Sequence, residues 1–352
     1  MVKRINLALQ GGGAHGAFSW GVIDRLLQED EIEIAAISGT SAGALNGAAL
    51  KAGLASAPGP EGRAAARRNL DHVWSRIGKV SNSLMSRWLS SMIPAPHFMQ
   101  RLTHAMSPLT WFETMGRFVS PYDFGALYRN PLASIIAGMP HAALNGAGGP
   151  QLFVSATNVR TGRIRIFANG EVTPETIMAS ACLPTVFKAV EITDPRTGRT
   201  EAYWDGGYSG NPALFPLYDP ALPRDIVIVN INPMIKDGVP RSPVEIEDRI
   251  NEISFNAALL GELRAIRFVK RLFDEDRLSG RAMKNVLVHM IRNDDLMAGL
   301  AGSSKIVPGP GLVAELHAAG REAAQEFIDR DLENVGHRDS CDVARMLAWD
   351  AE

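Results

Sequence analysis

The chain has 352 residues, 46% hydrophobic and 21% charged, with a net charge of −2. That is the profile of a globular protein of one large domain or two modest ones. It leaves no broad basic field for nucleic acid. The two cysteines, Cys182 and Cys341, have neither metal-ligand spacing nor the look of a disulfide framework, and no run of about 18 apolar residues offers a membrane span.

Ile5, Leu7 and Leu9 alternate as in a strand with one buried face. Gly11, Gly12 and Gly13 follow, then Phe18, Val22 and Leu26 at helical spacing. A second apolar strand, Ile32 to Ile37, runs into Gly39-Thr40-Ser41-Ala42-Gly43 and a further helix that closes at Gly53. A right-handed crossover makes these strands parallel and brings both glycine turns to one edge of the sheet. Strand-like residues begin at once and leave no room for a signal peptide, so a cytoplasmic setting is expected.

Both turns have chemical uses. Gly39-x-Ser41-x-Gly43 is the nucleophile-elbow pattern, a serine on a tight strand-to-helix turn. There the helix N-terminus favours developing negative charge. Three successive glycines offer unobstructed backbone N–H groups for an anion, either a phosphate or the oxyanion of an acyl-transfer intermediate.

Residues 63–77 read as a helix with Leu70, Val73, Trp74 and Ile77 on one side. Residues 80–120 hold five of the thirteen methionines, interleaved with Trp88, Phe98, Trp111, Phe112 and Phe118. The stretch reads equally as a lid or acyl-pocket wall and as ordinary helices over the sheet. After a Gly/Pro-rich break at 145–150, Leu152 to Thr157 and Arg163 to Phe167 read as strands. The cluster Arg160, Arg163 and Arg165 has the charge to meet a lipid phosphate, but a solvated strand face is the expected setting. Thr173-Pro174 caps a helix ending before Leu183-Pro184, and Cys182 is expected to be a small buried residue.

A hairpin over Val190 to Thr193 and Thr200 to Trp204 delivers Asp205-Gly206-Gly207 at a strand end. An aspartate there is either common turn chemistry or an open functional group. Residues 225–231 are a buried strand. Ser242-Pro243-Val244-Glu245 is a capping box opening a helix whose apolar stripe runs Ile246, Ile250, Ile253, Leu260, Leu263 and Ile266. Val286 to Ile291 is one more strand and carries His289. From about Pro310 the chain is mainly one amphipathic helix and a tail.

G-G-G-A-H-G at 11–16, G-T-S-A-G at 39–43, A-S-A-C-L-P at 179–184 and D-G-G at 205–207 occur in that order. Through these motifs the chain resembles the patatin-like phospholipase family over roughly residues 5–217. The resemblance implies a three-layer α/β/α fold with a mostly parallel central sheet. The expected division is a catalytic core over 1–240, including the 80–120 segment, with a mainly helical extension over 241–352 packed on it. It further implies a Ser-Asp dyad, Ser41 as nucleophile and Asp205 as base, and an oxyanion hole from Gly11, Gly12 and Gly13 helped by the N–H of Ala42. The implied activity releases fatty acid from phospholipid or lysophospholipid esters through an acyl-serine, with no metal or other cofactor. The expected partner is a lipid ester, with peripheral contact at the inner membrane through 80–120 and no nucleic acid. The chain departs from the family at His15, where Arg or Lys is common, so no fixed positive charge stands there at neutral pH unless His15 is protonated.

Other readings compete. Thioesters, acyl transfer and storage polyesters share the same machinery. Gly11-x-Gly13-x-x-Gly16 after a strand also matches a dinucleotide-binding loop, but the acid expected at the end of the second strand is replaced by Ser38-Gly39. A Ser41–Asp205–His289 triad has the chain order of an α/β-hydrolase, yet only about 40 residues precede the serine. A catalytically silent scaffold is favoured by nothing in the sequence.

Overall fold

A computed structural model describes residues 2–91, 120–168, 170–280, 283–300, 302–305, 308 and 311–348. The lid-or-wall alternative for residues 80–120 falls mainly on 92–119, which lie outside the described residues.

The centre is an eight-stranded sheet. In chain order its strands are β1 (Lys3–Leu9), β2 (Ile32–Thr40), β3 (Gln151–Asn158), β4 (Ile164–Phe167), β5 (Val190–Thr193), β6 (Thr200–Asp205), β7 (Asp225–Val229) and β8 (Leu287–Ile291). The spatial order is β5-β6-β3-β2-β1-β7-β8, with β4 paired to β3 off this path. The run β3-β2-β1-β7-β8 is parallel, while β4, β5 and β6 are antiparallel additions.

Nine α-helices are found among the described residues: α1 (Gly16–Leu26), α2 (Ala42–Ser56), α3 (Gly59–Ser91), α4 (Pro131–Ala137), α5 (Pro174–Ser180), α6 (Pro243–Asp274), α7 (Asp294–Ala298), α8 (Leu312–Arg330) and α9 (Val343–Met346). Leu7, Leu9, Val227 and Val229 pack on one side with Phe18, Val22, Leu45 and Trp74. Ala8, Ile226, Ile228 and Val288 pack on the other with Leu259, Leu263 and Ile266 of α6. The alternation in β1 therefore does not mark a wet face, because helices cover both sides of a parallel sheet. Even Asn6 is fully buried, and its amide donates to the Pro223 carbonyl at 2.6 Å.

Residues beyond 240 are tied into this body. β8 pairs with β7 in register, Val227 opposite His289. α8 crosses α1 closely: a Cβ on Gly21 would lie 2.0 Å from the His317 carbonyl oxygen, and one on Gly320 would lie 2.0 Å from that of Phe18. Asp24 on α1 bridges to α3 through Arg67 at 2.5 Å and to α8 through Arg321.

Two expectations are corrected. The α6 capping box forms as expected, with Ser242 and Glu245 bonding each other's backbone N–H. Its inward stripe, however, is Glu252, Phe255, Asn256, Leu259, Leu263 and Ile266, while Ile246, Ile250 and Ile253 face solvent. The first turns pack on a polar network rather than on the apolar core, as Asn256 bonds the Pro233 carbonyl and Glu252 pairs with Lys236.

Arg165 is not on a solvated face either. It is buried and holds Asp194 at 2.7 Å and Glu171 at 3.0 Å, with its guanidinium over the Phe167 ring. The bond from Arg165 holds the Asp194 carboxyl down at about 2. Replacing Arg165 by Leu leaves Asp194 without its cation and Glu171 with Arg196 alone, at 3.2 Å, and is expected to lower stability by about 3–5 kcal/mol at pH 7. Because the Asp194 pKa is depressed in the folded state, the deficit should shrink as pH falls from about 4 towards 2. Urea unfolding across that range checks both points.

Candidate active site

Register brings the motifs together. Leu9 is level with Gly39 on one side and Val229 on the other, so the segments after β1, β2 and β7 leave the sheet at one edge. Thr40 is level with Ser155 on β3, and Asp205 with the next residue, Ala156. Ser41 and Asp205 therefore flank β3 at the carboxyl ends of the parallel strands, where open α/β sheets hold their ligands.

Ser41 joins β2 to α2 with φ 55° and ψ −122°. A non-glycine residue at positive φ is costly, and such strain persists only when its surroundings over-determine it. Here they do. A Cβ on Gly39 would lie 2.5 Å from the Gly43 carbonyl oxygen, and one on Gly43 would lie 2.1 Å from that of Leu9. The Ser41 N–H donates to Ser180 Oγ on α5 at 2.9 Å. The Thr40 hydroxyl donates to the Gly210 carbonyl at 2.7 Å. Ser41 thus stands at the start of α2, next to the Ala42 N–H, which has no acceptor among the described residues.

Asp205 ends β6 and has no exposed surface. Its Oδ1 accepts from the Gly207 N–H at 2.8 Å. Oδ2 is buried and has no hydrogen-bond partner among the described residues. Ser41 lies close enough to the carboxylate to favour its charged form. Burial dominates and raises the carboxyl to about 7, against the smaller opposing effects of the Gly207 N–H and Ser41. A carboxyl of that pKa is a competent base near neutrality.

The glycine loop shows a division of labour that its sequence hides. The Gly11 N–H donates to Asn211 Oδ1 at 2.6 Å, and its carbonyl accepts from Asn211 and Asn232 side-chain amides at 3.3 and 2.8 Å. Gly11 is therefore a buttress, and its N–H is not free for an anion. The N–H groups of Gly12 and Gly13 have no acceptor among the described residues. Gly13 has φ +58°, and a Cβ there would come within 2.2 Å of the Lys305 carbonyl oxygen. Gln10 ties the loop down: its Oε1 accepts from the N–H groups of Ile231 and Asn232 at 2.8 and 2.9 Å.

Asn211, Asn232, Ser180 and Lys305 went unnoticed in the sequence. Ser180 lies inside the A-S-A-C-L-P motif, which was its one signal. The asparagines and Lys305 have no local pattern.

Other candidates sit elsewhere. His15 is buried, its Nε2 2.7 Å from Ser304 Oγ. Burial first, then the charges of Lys305 and Lys236, lower its pKa to about 3, so it is neutral at pH 7. Cys182 is buried, its thiol directed at the Lys188 carbonyl at 3.0 Å, and burial with the nearby Asp205 pushes it up to about 12. His289 bonds Asp225 at 3.0 Å and Ser340 at 2.6 Å. It is level with Val227, Leu7 and Ile37, so Ser41 lies four residues farther along and three strands away. That is roughly 13 Å of strand rise alone, which rules His289 out as a partner of Ser41. Among the described residues no group of three or more His, Cys, Asp or Glu side chains could hold a metal ion, and no helix is long and apolar enough to cross a membrane.

A family model described as patatin-like phospholipase matches residues 7–218, more than half of the chain. No curated protein matches. Among solved structures, VipD from Legionella pneumophila is similar at 14% identity and TM-score 0.39, over 93% of this chain and 67% of that one. The ExoU–SpcU complex of the type III secretion system of Pseudomonas aeruginosa is similar at 15% identity and TM-score 0.33, over 94% of this chain and 52% of that one. On the strength of the family match, with the elbow, glycine loop and D-G-G turn gathered at one sheet edge, the chain belongs to the patatin-like phospholipase family of lipid acyl hydrolases.

Proposed function

We propose that the protein releases fatty acid from phospholipid or lysophospholipid esters by a Ser41–Asp205 dyad. What carries this is the fully buried Asp205 carboxyl, its pKa raised to about 7, next to Ser41, whose backbone is held at φ 55° on the turn into α2. Asp205 takes the Ser41 proton as Oγ attacks the ester carbonyl. The developing oxyanion is held by the N–H groups of Gly12, Gly13 and Ala42. Collapse expels the lysolipid alcohol, which takes the proton back from Asp205. Water activated by the same carboxylate then cleaves the acyl-serine and frees the acid. Residues 1–240 supply the nucleophile, the base and the oxyanion donors, and residues 241–352 add the edge strand β8 and the segments packed on this core. The protein works in the cytoplasm, with peripheral contact at the inner membrane.

The test is release of fatty acid from phospholipid vesicles and from a chain-length series of chromogenic acyl esters, in the presence of EDTA. Wild type is expected to turn over and, on rapid quench, to carry an acyl group on the Ser41 peptide. Ser41→Ala should lose about 10⁴-fold or more in turnover and carry no label. Turnover that survives Ser41→Ala in a folded protein overturns the mechanism.

A further inference from the structure

The short turn Gly302–Lys305 lies directly on the glycine loop. The Lys305 carbonyl closes over Gly13, and Ser304 meets His15. From the same turn the Lys305 ammonium donates to Asn232 Oδ1 at 2.9 Å. Lysine can only donate, so this contact fixes which way the Asn232 amide points. Its Nδ2 is then bound to face the Gly11 carbonyl, where it donates at 2.8 Å.

The Gly11 carbonyl and the Gly12 N–H belong to one peptide unit. A cation on Asn232 Oδ1 makes the Asn232 N–H a stronger donor. That donor polarises the Gly11–Gly12 peptide, and the Gly12 N–H becomes more positive. Chains of hydrogen bonds strengthen one another in this way, most of all where the dielectric is low. Two amides thus connect a positive charge to the N–H group that meets the oxyanion. Lys236, the other cation acting on His15, is already paired with Glu252 at 3.0 Å. His15 itself carries no charge at neutral pH.

We propose that Lys305 is a positioning residue for acyl transfer, acting through Asn232 to orient and polarise the Gly11–Gly12 peptide of the oxyanion loop. Lys305 and Asn232 both lie outside the span 7–218 matched by the family model, so the chain beyond that span contributes to the chemistry as well as to packing. The inference rests on the assignment of Ser41 as nucleophile and the Gly12 N–H as an oxyanion donor.

The experiment measures ester turnover, and the rate at which a fluorophosphonate labels the Ser41 peptide, in wild type, Ser41→Ala, Lys305→Met, Lys305→Arg, Asn232→Ala and the Lys305→Met/Asn232→Ala double variant. Thermal unfolding confirms that each is folded. Lys305→Met keeps the length of the side chain and removes the charge. It is expected to lower kcat and the labelling rate about tenfold while leaving KM within twofold, and Lys305→Arg should restore most of the loss. In the Asn232→Ala background, Lys305→Met should cost little more, since the connection is already broken. A Ser41-dependent rate indifferent to Lys305→Met, or losses that simply multiply in the double variant, overturn the relay and leave the nucleophile standing. Label and turnover indifferent to Ser41→Ala remove the nucleophile and this inference with it.

Discussion

Asp205→Asn is expected to lower kcat/KM by about 10⁴-fold or more while leaving the protein folded and, above neutral pH, more stable. On the proposed mechanism, the size of the loss follows from removing the base of a unit whose members act together. The survival of the fold follows from local geometry. The amide oxygen can still accept from the Gly207 N–H, as Oδ1 does now at 2.8 Å. The strand before it keeps the bond from the Asp205 N–H to the Cys182 carbonyl at 2.8 Å.

The gain in stability comes from the same burial that tunes the base. The folded-state carboxyl is raised to about 7, well above the ~3.9 of an exposed aspartate. A raised carboxyl contributes most below about pH 4, where it is protonated in both states. Its contribution is lost as pH climbs to 7 and the folded protein must ionise a buried group. Wild type should therefore fall behind Asp205→Asn between about pH 4 and 7. The gap above that range is bounded by about 4 kcal/mol. Over the same interval kcat/KM of wild type on an uncharged ester should rise with an apparent pKa near 7 and then level off. Urea unfolding at pH 4 and pH 8, with a pH–rate profile, measures both. A variant within tenfold of wild type in activity, or a stability gap that ignores pH, removes Asp205 as the base.

The residues proposed to carry this chemistry are legible in the sequence to the extent that backbone sterics leave a local mark. Gly39 and Gly43 are required because the chain passes within touching distance of itself at Ser41, and such a requirement shows as spacing. Asp205-Gly206-Gly207 is marked in the same way: Cβ atoms at the two glycines would meet the Ser155 carbonyl oxygen at 2.3 Å and the Phe255 ring at 2.9 Å. What holds the glycine loop leaves no such mark. Asn211, Asn232 and Lys305 reach it from three distant parts of the chain, and single polar residues in loops have no period. The solvent-facing stripe Ile246, Ile250 and Ile253 failed for a related reason. Helical spacing reports a face, but only the partner decides whether that face turns inwards, and in the first half of α6 the partner is the polar network around Gln10 and Asn256. Arg165 was misread because its partners, Asp194 and Glu171, lie on separate loops.

The division within the glycine loop leads to the other large effect. Gly13→Ala is expected to cut kcat by about 10²–10³-fold, the loss associated with one oxyanion donor, with the larger part in kcat rather than KM. Two features act together at this position. Its φ of +58° is disfavoured for any residue with a Cβ, a strain of about 1–2 kcal/mol. The new methyl also points at backbone, the Lys305 carbonyl oxygen 2.2 Å away, and not at a side chain that can swing aside. Relief requires the loop or the 302–305 turn to shift, and either movement carries the Gly12 and Gly13 N–H groups off the oxyanion position. Gly12→Ala is the control. Its Cβ would meet the tip of Ile231 at 2.9 Å, which a rotamer change can relieve. It should cost less activity than Gly13→Ala at similar stability. Both variants keep Ser41 and Asp205 untouched, so the comparison isolates charge stabilisation from nucleophile activation. Steady-state kinetics with thermal unfolding decide it. If Gly13→Ala is folded and turns over like wild type, the loop is a structural turn, and the oxyanion must be held by Ala42 and donors outside residues 11–13.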